Sequence, residues 1–220
     1  MKKHIKYIGL LFVVMTTFSC NKDNFNYKTG YVGISKITQY PNITVTGPAY
    51  VAVPKGGVYT DPGVSAKAGT ADVKVVTTGL PDVNTAGVYT VTYTAVNADG
   101  FAATASRTVA VYSTDVTAQN NDFSGSYARN TNGSLAVWTK LAPGVYTVFN
   151  PGGAPGTSLT VVVFNPTGNQ IFIPSQLAGG SPTSSAHEST VPGAGGTLVS
   201  YKMEIVNPGY GTSTRTFVKQ

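Results

Sequence analysis

The chain has a single cysteine, Cys20, in 220 residues. No internal disulfide is available, so each folded unit must be held by burial alone. Charge is scarce as well: Asp, Glu, Lys and Arg make up 11% of the residues. Of the two histidines, His4 lies close to the N-terminus, which leaves His187 beside Glu188. These shortages exclude whole classes of chemistry. A Ser-His-Asp set needs a firmly positioned histidine, and a zinc site needs three or four His, Cys or carboxylate ligands. Glycoside hydrolysis needs two facing carboxylates, and beyond residue 120 there are only Asp122, Glu188 and Glu204. No phosphate-binding loop or dinucleotide fingerprint occurs. The chain reads as a non-enzyme with no cofactor and no metal. Long apolar runs are missing too. The one run, Tyr7 to Met15, falls well short of the roughly 20 residues that span a bilayer.

What is present is β-forming. Val, Thr and 13 Tyr suit a pleated, half-buried surface, and 25 Gly and 13 Pro punctuate it. The formal charge is +6, but three of the lysines, Lys2, Lys3 and Lys6, belong to the N-terminal leader, and without them the charge is +3. The remaining Lys and Arg are scattered singly, with no stripe that could follow a phosphate backbone, so nucleic acid is not an expected partner.

The leader organises the rest. A basic start, a short apolar core and small or hydroxylated residues run into Phe18-Ser19-Cys20, the layout of a secretory signal. With Cys20 directly after the cut, it resembles a bacterial lipoprotein signal, and the resemblance implies that Cys20 is acylated and holds the protein on a membrane. Residues 1–19 are then the signal peptide and 20–38 a flexible tether. Asn21-Lys22-Asp23-Asn24 resembles the export tag of Bacteroides-type surface lipoproteins, which implies an outer-membrane, lipid-anchored protein facing the cell surface.

Residues 39–112 read as a first domain. Val88 to Val96 alternates strictly, with Tyr89, Val91, Tyr93 and Ala95 on one face and Thr90, Thr92 and Thr94 on the other, the pattern of a sheet with one wet face. Asn97-Ala98-Asp99-Gly100 turns the chain into a partner strand through Val109 and Val111. Gly57 to Val64, Thr85 to Ala95, Asp99-Gly100 and Arg107 to Val111 together resemble a bacterial immunoglobulin-like repeat. This resemblance implies a β-sandwich that serves as spacer or adhesive module. Tyr89 then stands where a tyrosine corner bonds back upstream. Asp61 and Asp99 read as turn residues rather than Ca²⁺ ligands, because an oxygen cage needs more carboxylates.

Polar residues 113–120 read as a linker, and 121–220 as a second domain of about seven short strands. Gly144 to Asn150 and Leu159 to Phe164 are its clearest strands, and 178–197, rich in Gly, Ser, Pro and Thr, reads as a loop. The fold class is therefore all-β: an N-terminal immunoglobulin-like sandwich followed by an antiparallel barrel or sandwich. Asp122 to Tyr127, followed by Gly144-Val145-Tyr146, resembles the C-terminal domains of Bacteroides-type surface lipoproteins, which accompany outer-membrane carbohydrate-uptake systems. That implies a polysaccharide ligand and a transporter complex as partners. Sugar binding asks for aromatic faces beside amides and hydroxyls, and Trp138, Tyr127, Tyr146, Tyr201 and Tyr210 are the candidates. If Leu135, Val137 and Leu141 face inward, Trp138 faces outward. The alternatives are an adhesive or structural envelope protein that binds other proteins, and a small-ligand carrier on a lipocalin-like barrel.

Overall fold

The computed structural model describes residues 27–32 and 35–220. Cys20 and the leader lie outside the described residues. Among those described, no helix is long and apolar enough to cross a membrane. Two short strands, β1 (Tyr31–Val32) and β2 (Ser35–Lys36), pair antiparallel in the segment that ends at Gln39. Residues 40–220 form one compact unit.

The first part of that unit is a two-sheet sandwich. Its strands are β3 (Pro41–Val45), β4 (Tyr50–Pro54), β5 (Val64–Ala68), β6 (Ala71–Asp72), β7 (Val75–Thr78), β8 (Gly87–Val96) and β9 (Ala102–Tyr112). One sheet runs β3-β5-β6 and the other β4-β9-β8-β7. The alternation read from β8 places Val91, Tyr93 and Ala95 in the core at 0% exposure, beside Val53 and Val109. Tyr89 forms the expected corner, its hydroxyl donating to the Thr85 carbonyl at 2.8 Å. Asp61 does close its turn by accepting the Gly63 amide at 2.9 Å. It also accepts the Tyr93 hydroxyl at 2.7 Å. Arg107, buried at 1% exposure, completes the network: it donates to Tyr93 Oη at 3.1 Å, to the Pro48 carbonyl at 2.8 Å and to the Thr46 carbonyl, and lies 3.7 Å from Asp61.

The second part is a nearly closed eight-stranded antiparallel barrel. It is built of β10 (Gly125–Arg129), β11 (Leu135–Ala142), β12 (Val145–Phe149), β13 (Thr160–Phe164), β14 (Gln176–Ala178), β15 (Ser181–Pro192), β16 (Leu198–Val206) and β17 (Arg215–Lys219). The order is β13-β12-β11-β10-β17-β16-β15-β14. First and last strands are thus neighbours, and the one open seam falls between β13 and β14. One side chain and one backbone bridge stitch it. The Gln176 amide accepts the Val162 N–H and donates to the Val162 carbonyl, both at 2.8 Å, in place of a missing strand residue, and the backbones of Phe164 and Phe172 exchange hydrogen bonds at 2.9 and 3.0 Å. Gln176→Ala leaves a buried donor and acceptor unpaired and should cost about 2 kcal/mol, read as a lower urea midpoint at unchanged slope.

Two local expectations are corrected. Residues 178–197 are not a loop: Ser181–Pro192 is a twelve-residue strand paired with β16. Gly179 and Gly180, both at positive φ, make the turn into it. Ser and Thr, which also signal loops, fit a half-exposed strand, and the prolines fall near its ends. Trp138 faces inward, not outward. Along β11, Ala136 and Trp138 are buried while Leu135 and Val137 are 45% and 37% exposed. Both faces of this strand carry apolar residues, so its period leaves the choice open, and the largest ring goes inside.

Sandwich and barrel share a third apolar cluster. Ala110 of β9 is buried against Val145, Val162 and Phe164 of the barrel, with Tyr50, Ala52, Val88, Tyr112, Leu141 and Ala142 around them. Residues 113–120 are fastened to the barrel. Thr114 donates to the Pro143 carbonyl and the Asp115 amide to that of Pro166, both at 2.8 Å, and Ala118 is fully buried.

Candidate functional site

The aromatic residues singled out for sugar binding are mostly core. Trp138 is 2% exposed, and Tyr127, Tyr146 and Tyr201 are at 0–1%. The Trp138 ring lies 5.1 Å from that of Tyr201, 5.5 Å from Tyr146 and 6.0 Å from Tyr127. Two of the hydroxyls serve the fold, and that of Tyr201 is buried without a partner. Tyr127 donates to the Phe123 carbonyl at 2.8 Å, a second corner of the Tyr89 kind, and Tyr146 donates to that of Asn121 at 3.0 Å. Burial raises the pKa of all three tyrosines, that of Tyr146 to about 12, where the Phe123 amide opposes the rise and the Asp122 charge adds to it. These rings fill the barrel interior, the opposite of the apolar cavity that a lipocalin-like carrier requires. Tyr210 alone is half-exposed, and it stacks on Arg215.

His187 and Glu188 sit on a bulge of β15. His187 has φ 56°, and its Nδ1 lies 3.0 Å from Glu204 on β16. Glu188 turns the other way, accepting the Ser185 hydroxyl. Among the described residues no three His, Cys, Asp or Glu gather as a metal site would need.

A different site emerges beside the sandwich–barrel contact. On the outer face of β8 and β9 the register pairs Thr90 with Thr108, Thr92 with Ser106 and Thr94 with Thr104. This face has two halves. At one end Ala110 is buried in the apolar cluster shared with the barrel, with Val88 partly buried against it. Beyond it Thr90, Thr92, Ser106 and Thr108 of the hydroxyl ladder form one wall of a groove of about 380 Å³. Tyr50 lies beside the ladder, and Ser158, Thr160 and Gly179-Gly180 of the barrel form the opposite wall. An adjoining lobe of about 440 Å³ shares Thr90, Gln176 and Leu177 and is walled by Leu80, Val88 and Tyr89. None of the residues lining either lobe is charged.

The chemistry of this groove is specific in kind. Each hydroxyl both donates and accepts, the flanking Leu and Tyr side chains offer apolar surface, and nothing present would attract or repel an ion. Such a surface matches a ligand that is itself polyhydroxylated and neutral. The sequence carried the signal in the Thr90, Thr92 and Thr94 alternation, which reads simply as a wet face until the barrel is placed opposite it.

Residues 43–111 match the family of bacterial surface protein, Ig-like domains. That is the sandwich, β3 to β9, bearing the ladder wall of the groove. No curated protein matches the chain. Among solved structures, the lipoprotein BT2262 from Bacteroides thetaiotaomicron is similar at 23% identity and a TM-score of 0.43, over 82% of this chain and all of that one. The M60 catalytic domain with two CBM51 domains from Clostridium perfringens ZmpB is similar at 15% identity and a TM-score of 0.31, over 84% of this chain and 21% of that one.

Proposed function

We propose that this chain is a non-catalytic, lipid-anchored cell-surface protein that binds neutral glycan chains in the groove between sandwich and barrel. The observation that carries the reading is the uncharged hydroxyl ladder Thr90/Thr108 and Thr92/Ser106 facing the barrel across that groove. The leader ending at Cys20 supports the anchor, and the surface-protein family of residues 43–111 supports display outside the cell. In this role the protein would deliver polysaccharide to an outer-membrane uptake complex. Because sandwich and barrel share a buried apolar cluster, the two walls are held at fixed spacing, which lowers the ordering cost of binding.

Isothermal titration of the mature protein against neutral glucans, mannans and xylans tests the reading. At least one should bind, and Thr92→Val with Ser106→Ala should weaken it about tenfold by removing two ligand hydrogen bonds while leaving the melting temperature nearly unchanged. Binding by none of them, or binding indifferent to the double change, refutes the site. Mass spectrometry of the mature N-terminus checks the anchor separately: an acylated Cys20 is expected.

A protein-binding envelope role is favoured by one observation. Phe149 pairs with Val137 across β12 and β11, Leu135 pairs with Ala128, and Ala128 with Val218, giving a row of outward apolar side chains on four adjacent strands. Capture of an envelope protein that is lost on Val137→Lys and insensitive to sugar would support that second role.

A further inference from the structure

Two arginines face into the same end of the barrel. Arg129 ends β10 opposite Phe217, and Arg215 is the next inward position along β17. Arg215 is 7% exposed and Arg129 is half-buried. Arg107 in the sandwich shows what a buried guanidinium ordinarily receives: a carboxylate, a hydroxyl and two carbonyls. The barrel pair has no such set. Among the described residues no carboxylate lies within ion-pair distance of either. Arg129 Nη1 reaches the Gly152 and Gly153 carbonyls only at 3.4 Å. Arg215 donates to Ser213 at 2.9 Å and to Gly211 at 3.4 Å. The Nε–H of each is buried with no acceptor. Each guanidinium carries five N–H donors, so donors far outnumber acceptors at this end of the barrel. The contrast extends to titration: the Arg215 pKa is lowered, by burial first and by the Arg129 charge second, which together outweigh Tyr210 and the Glu204 charge, whereas that of Arg107 is raised.

The surroundings hold the pair in place. The Tyr210 ring lies 5.3 Å from the Arg215 guanidinium. Gly152 and Gly153 lie so close that a Cβ would meet the Tyr210 ring at 2.1 Å and Arg129 at 2.8 Å. Holding two like charges together with no carboxylate in ion-pair contact is costly, and a bound anion offsets that cost with charge-assisted, fork-shaped hydrogen bonds.

We propose that Arg129 and Arg215, held by Tyr210 and the Gly152-Gly153 loop, form a binding site for a small oxyanion, the carboxylate or sulfate group of an acidic glycan. The site is distinct from the uncharged groove and adds acidic saccharides to the ligand class.

The test is isothermal titration of the full mature chain with sodium sulfate and with glucuronate, at constant ionic strength in chloride, with glucose as the neutral control. Sulfate and glucuronate should bind and glucose should not displace them. Arg129→Gln should weaken both about tenfold or more, and Arg129→Lys, which keeps the charge but loses the fork, should fall between. Tighter binding of an oligoglucuronate than of sulfate assigns the oxyanion to a uronic acid. Tighter binding of sulfate assigns it to a sulfated sugar. Absence of binding by both anions, or affinities unchanged in both Arg129 variants, overturns the proposal. Substitution at Arg129 rather than at the more buried Arg215 limits the risk of misfolding, and the Lys variant keeps the test readable if Gln destabilises. Neutral-polysaccharide binding in the groove should be the same in all three proteins, so failure of this site and failure of the groove are told apart.

Discussion

Arg107→Met should be among the most destabilising single substitutions in the sandwich, costing about 3–5 kcal/mol. The loss is not that of one ion pair. Met removes the donor to Tyr93, Pro48 and Thr46 and the charge beside Asp61, and it leaves those acceptors facing a methionine. For a chain of this size the melting temperature should fall by about 10 °C. Adding Asp61→Asn should recover part of the loss, because the second change removes the carboxylate the first left without its cation, and the double-mutant cycle will be non-additive. The same network sets an acid limit. Burial opposes the charged form of Asp61, but the hydrogen bonds from Tyr93 and the Gly63 amide, together with the Arg107 charge, outweigh it and hold the carboxyl below its ordinary value of 3.8. A depressed carboxylate pKa contributes stability that is fully present above the unfolded value and is lost as pH falls through the folded one. The wild-type protein should therefore lose stability below about pH 4, and Asp61→Asn should flatten that limb in urea titrations run from pH 6 to pH 2.

Trp138→Ala should cost a similar 3–5 kcal/mol, through a different cause. The ring is surrounded by Phe123, Tyr127, Tyr146 and Tyr201, so truncation opens a cavity among stiff aromatic side chains that cannot collapse into it. Trp138→Phe should lose less than half as much. Guanidinium unfolding followed by circular dichroism measures both. A Trp138→Ala protein of wild-type stability would mean that the side chain is not where the barrel core places it. Because Trp138 lies inside, neither change should alter glycan affinity at temperatures where the protein stays folded. This separates a core tryptophan from a sugar-stacking one.

How far the fold could be read from the chain varied with how local its causes are. β8 was legible residue by residue: the seven residues from Tyr89 to Ala95 alternate strictly and have one sensible burial, and Tyr93 and Val91 are buried as their period requires. Leu159 to Phe164 was legible as a buried strand because a continuous apolar run has nowhere else to go. β15 was not, because Ser, Thr, Gly and Pro signal loops while Ser and Thr also suit the half-wet side of a sheet; the pairing with β16 decides. The inward turn of Trp138 was hidden for a related reason. Shifting a strand by one residue exchanges its faces, and β11 offers apolar residues on both.

The site lay further from view than the fold. Thr90, Thr92 and Thr94 were visible as a hydroxylated face, yet nothing local says what stands opposite. Arg107, Arg129 and Arg215 are three isolated arginines in the sequence. Folding gives the first a full set of partners and leaves the other two together, with the Nε–H of each buried and unpaired.

Composition and period by themselves determined an all-β chain with no internal disulfide, and the motifs between Gly57 and Val111 carried the resemblance to an immunoglobulin-like first domain. Those properties depend on residue type and spacing along one strand or one segment. Only the tertiary structure decided that the barrel is filled with aromatic rings, that Gln176 closes its seam, and that a threonine face becomes the wall of a groove. Each of these depends on two distant stretches meeting, and the physical gain of the meeting, a buried ring or a paired amide, belongs to neither stretch alone.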